Sequence, residues 1–200
     1  MYVRDIFGYD LPTIYEIHGQ DTYRLKEISL PKRAVVLDVG AHIGSFSVAI
    51  HSKFPDAVIT AFEPHPSNFR LLQENAPFAR CIPKAVSGVA GKAFLTDHKA
   101  SASYALSLSE TDTPVDTVSL GDYLREVPRV DLMKVDIEGA EKDVFEHLEP
   151  ELLSKVDRIM MEIHPPHAVA WFTERFKAAG FVVIAKNDLL FANRQKVQIT

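Results

Sequence analysis

Two hundred residues, 46% hydrophobic and 24% charged, can bury roughly 70% of the unfolded surface without a disulfide or metal staple. Twenty-two basic against 27 acidic residues leave a net charge of −5, which excludes a surface field suited to nucleic acid. No apolar run approaches the ~18 residues of a membrane span, and the opening MYVRDIFGYDLP sets charges where a signal peptide needs an apolar stretch. The expectation is a cytoplasmic protein with neither a nucleic-acid nor a membrane partner. The single cysteine, Cys81, has no internal partner and reads as a small residue at the edge of a buried strand.

Residues 1–30 carry Tyr2, Phe7, Tyr9, Tyr15 and Tyr23 with weak periodicity. They read as a segment covering a single domain at 31–200, with Tyr15, Glu16, His18 and Tyr23 as candidates for a lid. Ala34–Val39 is a short apolar run entering a glycine turn, the mark of a buried parallel strand. A helix follows from Gly44 to Phe54, a strand over Ala57–Phe62, a helix over Pro66–Asn75 and a strand over Arg80–Val86. Residues 87–116 are irregular, with one short strand expected at Ala93–Thr96 and then a loop. A short helix at Leu120–Val127 leads to a strand at Asp131–Val135, a helix over Gly139–Leu148 and a strand over Arg158–Ile163. The last helix, Ala168–Ala179, stops at Gly180. Phe181–Ala185 and Leu189–Asn193, joined by Lys186-Asn187-Asp188, read as a β-hairpin. Alternating strands and helices predict an α/β fold: a Rossmann-like, doubly wound, mostly parallel sheet, the hairpin adding one antiparallel strand.

The most informative stretch is Leu37-Asp38-Val39-Gly40-Ala41-His42-Ile43-Gly44-Ser45. A strand ends, the chain turns on Gly40, and a helix starts near Gly44. Without a Cβ, Gly40 lets the backbone turn tightly and a ligand approach. Glu63 closes the second strand, where an acid can accept hydrogen bonds from both hydroxyls of a ribose. Together they point to a nucleoside-containing cofactor. The spacing Gly40-x-x-x-Gly44 places His42 where a dinucleotide fingerprint has its middle glycine, which disfavours NAD or FAD.

Val36–Gly44 resembles motif I of class I S-adenosylmethionine-dependent methyltransferases. Ala61-Phe62-Glu63-Pro64-His65-Pro66 with Asn68, and Asp131-Leu132-Met133-Lys134-Val135-Asp136-Ile137-Glu138-Gly139-Ala140-Glu141, narrow the resemblance to the FkbM family. Val118–Leu124 and Met161-Glu162-Ile163-His164 also resemble that family's segments. The resemblance covers about residues 34–195. It departs at His42, where the family has Asn, and at Gly121, where it has Asp.

The resemblance implies S-adenosylmethionine as cofactor. Asp38 with the turn Gly40, Ala41, His42, Gly44 and Ser45 would hold the methionine part. Glu63 would take the ribose hydroxyls, Pro64 and Asn68 would border the nucleoside, and Ala85, Val86 and Ser87 would lie against the adenine. Asp136 would face the methyl group and the acceptor. The implied reaction is O-methylation of a hydroxyl on a small molecule or sugar. A hydroxyl acceptor has a proton to lose, and Asp136, His164 and Glu138 are the catalytic candidates, with His164 as the base. Glu138 reads alternatively as a helix cap. Glu141 falls at the same rim and reads as solvated or structural, or as paired with Lys or Arg, and Lys134 as the partner of a buried acid. No metal is expected, although Asp136, Glu162 and His164 would make a two-acid, one-His set. The alternatives are a cofactor-binding module without catalysis and a nucleotide-dependent oxidoreductase. The N-terminal segment and the hairpin are the candidate edges for a homodimer.

Overall fold

The computed structural model describes residues 1–4, 10–97, 104–107 and 113–195. The chain opens with α1 (Asp10–Ile14), which runs into a π-helical turn at Tyr15–Gly19, and continues through a 3₁₀ turn at Leu25–Glu27. Then follow β1 (Val35–Val39), α2 (Ser45–Lys53), β2 (Val58–Phe62), α3 (Pro66–Asn75), β3 (Arg80–Ile82) and β4 (Ala85–Ser87). Next come β5 (Gly91–Asp97), β6 (Tyr104–Ser107), β7 (Thr113–Ser119), α4 (Leu120–Glu126), β8 (Leu132–Val135) and α5 (Glu141–His147). After β9 (Arg158–Glu162) come α6 (Val169–Ala178), β10 (Phe181–Lys186) and β11 (Leu189–Arg194).

The main sheet has seven strands in the order β10–β11–β9–β8–β1–β2–β3. The pairs β2–β3, β1–β2, β1–β8 and β8–β9 are parallel, and β11 runs antiparallel to β9 and β10. This is the expected doubly wound sheet with one antiparallel strand. Its central strands are buried on both faces, which is why β1, β2 and β8 read as nearly unbroken apolar runs. Alternate residues feed two cores. Leu37, Val39, Met133 and Val135 pack with Phe145, Phe172 and Phe176 on one face. Val36, Ile59 and Leu132 pack with Phe46, Ile50 and the N-terminal Ile17, Tyr23 and Leu25 on the other. The segment before β1 is thus anchored in the core rather than laid over it.

Register sets up the site. Val39 pairs with Phe62 on one side and Val135 on the other, and Val135 pairs with Met161. The residues that follow, Gly40, Glu63, Asp136 and Glu162, therefore emerge side by side at the carboxyl edge. The strand order reverses beside β1, the place where open α/β sheets bind ligands.

Two expectations change. The strand read over Arg80–Val86 is two strands in two sheets. Pro83 has no N–H to donate and breaks the ladder; β3 pairs with β2, whereas β4 pairs with β7. The segment read as irregular builds a second sheet in the order β4–β7–β5–β6. Ser101-Ala102-Ser103 of that stretch, which by sequence could line an acceptor pocket or form a polar loop, lie outside the described residues. The hairpin forms as expected, Lys186 pairing with Leu189 across a turn where Asn187 has φ +56°. Among the described residues, no helix is long and apolar enough to cross a membrane.

Candidate active site

At the end of β1 the chain turns on Gly40, with φ +81°. A Cβ there would lie 1.7 Å from the Asp136 carbonyl oxygen, so no side chain fits between the exits of β1 and β8. Lys134 Nζ donates to the Gly40 carbonyl at 2.6 Å. His42, also left-handed at φ +51°, turns its backbone N–H onto Glu63 Oε2 at 2.8 Å. Glu63 Oε1 accepts from His65 N at 2.8 Å and Asn68 Nδ2 at 3.3 Å. The carboxylate is buried, and burial pushes it up to about 7 against the pull of these donors. Three donors fix its plane and leave a lone-pair site on Oε2, which accepts one bond, for a hydroxyl of a ligand.

Behind the turn, Asp38 is fully buried. It accepts from Ser47 Oγ at 2.7 Å and lies 3.7 Å from Lys134 Nζ, which is 3.4 Å from Asp136 Oδ2. Burial works against the Lys134 charge, but Asp136 and Asp38 outweigh it and raise its pKa. Lys134 thus is the partner of buried acids that the sequence suggested. Tyr23 reaches in from the N-terminal segment, its hydroxyl 3.5 Å from Asp136 Oδ2.

The exits of β8 and β9 form an acidic rim around His164. Its Nδ1 faces Glu141 Oε1 at 3.4 Å, and its Nε2 faces Glu162 at 3.5 Å and Glu138 at 3.8 Å. The bonds to Glu141 and Glu162 raise the imidazole to about 11, so it is a cation at neutral pH. This corrects its reading as the base: a ring so held gives a proton rather than takes one. Burial, with Asp136 adding to it, raises Glu138 to about 7. Ligand atoms of Asp136, Glu138 and His164 lie within 4.8 Å of one another, a spacing that could hold a metal ion.

Two clefts open at this edge. The larger, with a cavity volume of about 120 Å³, runs from Glu63, Pro64 and Asn68 past Phe62, Ala85, Val86 and Leu95 to Asp136 and Glu138. The second lies under the N-terminal segment, where Thr13, Glu16 and Tyr23 face Ala41, His42, Ser45, Asp136 and Glu162. Gly40 and His42 line both. Four anticipated residues line neither cleft. Asp38 pairs with Lys134, Gly44 packs against Leu72, Ser87 turns its hydroxyl onto Val89 O, and His164 stands among Glu138, Glu141 and Glu162. The sequence reading missed Thr13 and Leu95, which come from segments with no motif.

The N-terminal segment is tied across the mouth by Arg4. Its guanidinium pairs with the buried Asp10 at 2.5 Å, donates to Asn68 Oδ1 at 2.7 Å, and lies 3.1 Å from His42 Nε2. Burial holds His42 down to about 4, so its ring is neutral and Nε2 accepts from Arg4.

The residues fit a cationic nucleoside cofactor. Apolar walls flank the buried Glu63 carboxylate, and three buried polar atoms, His42 Nδ1, Ser45 Oγ and Asp136 Oδ1, have no partner among the described residues beside the second cleft. Glu16, Asp136 and Glu162 outnumber Lys134 there, which suits a positive ligand and opposes a pyrophosphate.

A family model described as the methyltransferase FkbM domain matches residues 38–183. Methyltransferase 1 of Beauveria bassiana is 31% identical over 168 aligned positions, 66% of this chain and 66% of that protein. The 31-O-demethyl-FK506 methyltransferase FkbM of Streptomyces tacrolimicus is 25% identical over 224 positions, covering 92% of this chain and 86% of its own. The solved structure of methyltransferase FkbM from Methylobacillus flagellatus superposes with a TM-score of 0.63 at 11% identity, over 85% of this chain. This chain spans 46% of that one.

Proposed function

The chain belongs to the FkbM methyltransferase family, and on that premise we propose that it transfers a methyl group from S-adenosylmethionine to a hydroxyl of a small molecule or sugar. One observation carries this reading. A single cleft holds the buried Glu63 carboxylate at one end and Glu138, with its pKa near 7, at the other. The Streptomyces relative, named for 31-O-demethyl-FK506, supports oxygen as the accepting atom. The family replaces the oxidoreductase alternative.

Bound S-adenosylmethionine supplies a methyl on a sulfonium, and transfer to a hydroxyl forms a C–O bond, breaks the C–S bond and releases one proton. Glu63 would accept from the ribose, Phe62, Ala85, Val86 and Leu95 would wall the base, and the Gly40 turn, with Ala41, His42 and Ser45 beside it, would receive the methionine end; all of them line the two clefts. Asp136, oriented by Lys134 and Tyr23, faces the transfer point. Glu138 takes the acceptor proton, and the His164 imidazolium 3.8 Å away steadies the negative charge that develops on the oxygen. Alignment in a dry cleft supplies the rest of the rate.

The test incubates the protein with methyl-labelled S-adenosylmethionine and parallel panels of hydroxyl and amine acceptors, sugars included. Label on hydroxyl compounds supports the reading. Label confined to amines overturns the choice of oxygen, and donor binding without transfer to any panel favours a binding module.

A further inference from the structure

Glu141 is a buried carboxylate to which the reading above gives no task. It opens α5, yet its side chain folds back over the preceding turn. Oε1 accepts from Ile137 N at 3.2 Å, and both oxygens accept from Gly139 N, at 3.2 and 3.0 Å. The same Oε1 lies 3.4 Å from His164 Nδ1. The residue is 0% exposed. A carboxylate taken wholly out of water costs several kcal/mol unless its charge and lone pairs are met. Here they are met by two backbone donors on one side and an imidazole on the other.

Both partners lead to the rim. The loop that Glu141 grips holds two consecutive left-handed residues, Glu138 at φ +56° and Gly139 at φ +107°. That region is sparsely populated for a residue with a side chain and persists only where surroundings enforce it. The bonds to Ile137 N and Gly139 N brace the peptide on each side of Glu138. On the other side, holding Nδ1 leaves one way for the ring to face: Nε2 points to Glu138 and Glu162.

We propose that Glu141 is the positioning residue of the transfer: it braces the loop that carries Glu138 and holds His164 by Nδ1, so that Nε2 meets Glu138 at the acceptor rim. The task assigned to it rests on the methyl-transfer reading; the contact with His164 does not. The charged groups facing His164 are Glu141 from α5, Glu138 from the loop before it and Glu162 from β9, with Asp136 and Glu16 facing Glu138 and Glu162 beyond.

The experiment is nitrogen-15 NMR of the histidine rings in the wild type, Glu141→Gln and Glu138→Gln, the His164 signals assigned by their loss in His164→Gln. In the wild type, His164 keeps both ring protons through neutral pH, and Nδ1–H exchanges more slowly than Nε2–H. Gln keeps the shape and an acceptor oxygen for the loop but removes the charge facing Nδ1. It moves the His164 midpoint from about 11 toward the ordinary 6.5, by more than about one pH unit and further than Glu138→Gln does. A merely structural role would leave that midpoint in place. A wild-type ring without a proton on Nδ1 overturns the proposal even if Glu141→Gln fails to fold, and so does an equal or larger shift in Glu138→Gln. With an acceptor identified, Glu141→Gln lowers kcat roughly tenfold to a hundredfold with KM for the donor held, and an unchanged kcat overturns the positioning task. The NMR uses no cofactor, so failure of donor binding would contradict the methyl-transfer reading and leave the Glu141–His164 contact separately decided.

Discussion

At the β2 end of the cleft, Glu63 takes its three donors from His42, His65 and Asn68, all within 21 residues along the chain. At the β8–β9 end, His164 meets Glu138, Glu141 and Glu162, while Asp136 meets Lys134 beside it in the chain and Tyr23 from 113 residues away. The first end fixes one carboxylate by backbone and amide donors, and its chemistry depends on that single group. The second shares charge among many groups, so each sets the protonation of the others. A change at the first end should therefore read out as lost binding. A change at the second should read out as altered rate and altered pH dependence.

The largest effect expected comes from the group between the two ends. Lys134→Met leaves Asp38 and Asp136 without their cation, and Asp38 has no exposure to water. Removing one partner of a buried charge pair costs about 3–5 kcal/mol, to be read as a lowered midpoint in urea unfolding. At the second end, Glu138→Gln should cut methyl transfer by roughly a hundredfold while S-adenosylhomocysteine binds nearly as before. An equal loss of binding in that variant would erase the contrast. At the first end, Glu63→Ala should weaken S-adenosylhomocysteine binding by more than about tenfold, since it removes the diol acceptor and orphans its three donors.

The pH dependence sharpens the same contrast. Glu63 is raised from 4.5 to about 7, so its folded form holds a proton below that point. A ribose diol needs the ionised form. Affinity for S-adenosylhomocysteine should therefore rise with pH up to about 7, by at most about tenfold per unit, and level off above it. In Glu63→Gln this slope should flatten. The smallest effect belongs to the strap: Arg4 is about a third exposed, and Arg4→Ala should lower stability by about 1 kcal/mol or less.

The central sheet and its glycine turn were legible because continuous apolar runs and a short loop motif are local patterns. Glu63 was legible for the same reason, as it stands directly at a strand end. The four-stranded second sheet was not, because its antiparallel strands are short and their partners are set by pairing across β5 and β7 rather than by period. Motif position alone does not report that Asp38 pairs with Lys134 behind the turn, or that the Ser87 hydroxyl bonds the Val89 carbonyl two residues on. For Glu141 the sequence leaves a structural role open beside a solvated one or a pair with Lys or Arg, without naming its partners. Its actual partners are backbone amides of the turn before it and a histidine of the next strand's exit. Spacing along a helix does not report such a backward fold. His164 was found, but not its charge, which follows from the carboxylates that surround it.

The most direct test of the account is calorimetric titration of the purified protein with S-adenosylhomocysteine, with NAD as the control. Micromolar binding of S-adenosylhomocysteine alone is the predicted result, with the Glu63 cleft as its seat. Binding of NAD, or of neither compound, would contradict the assignment of that cleft to the methyl donor.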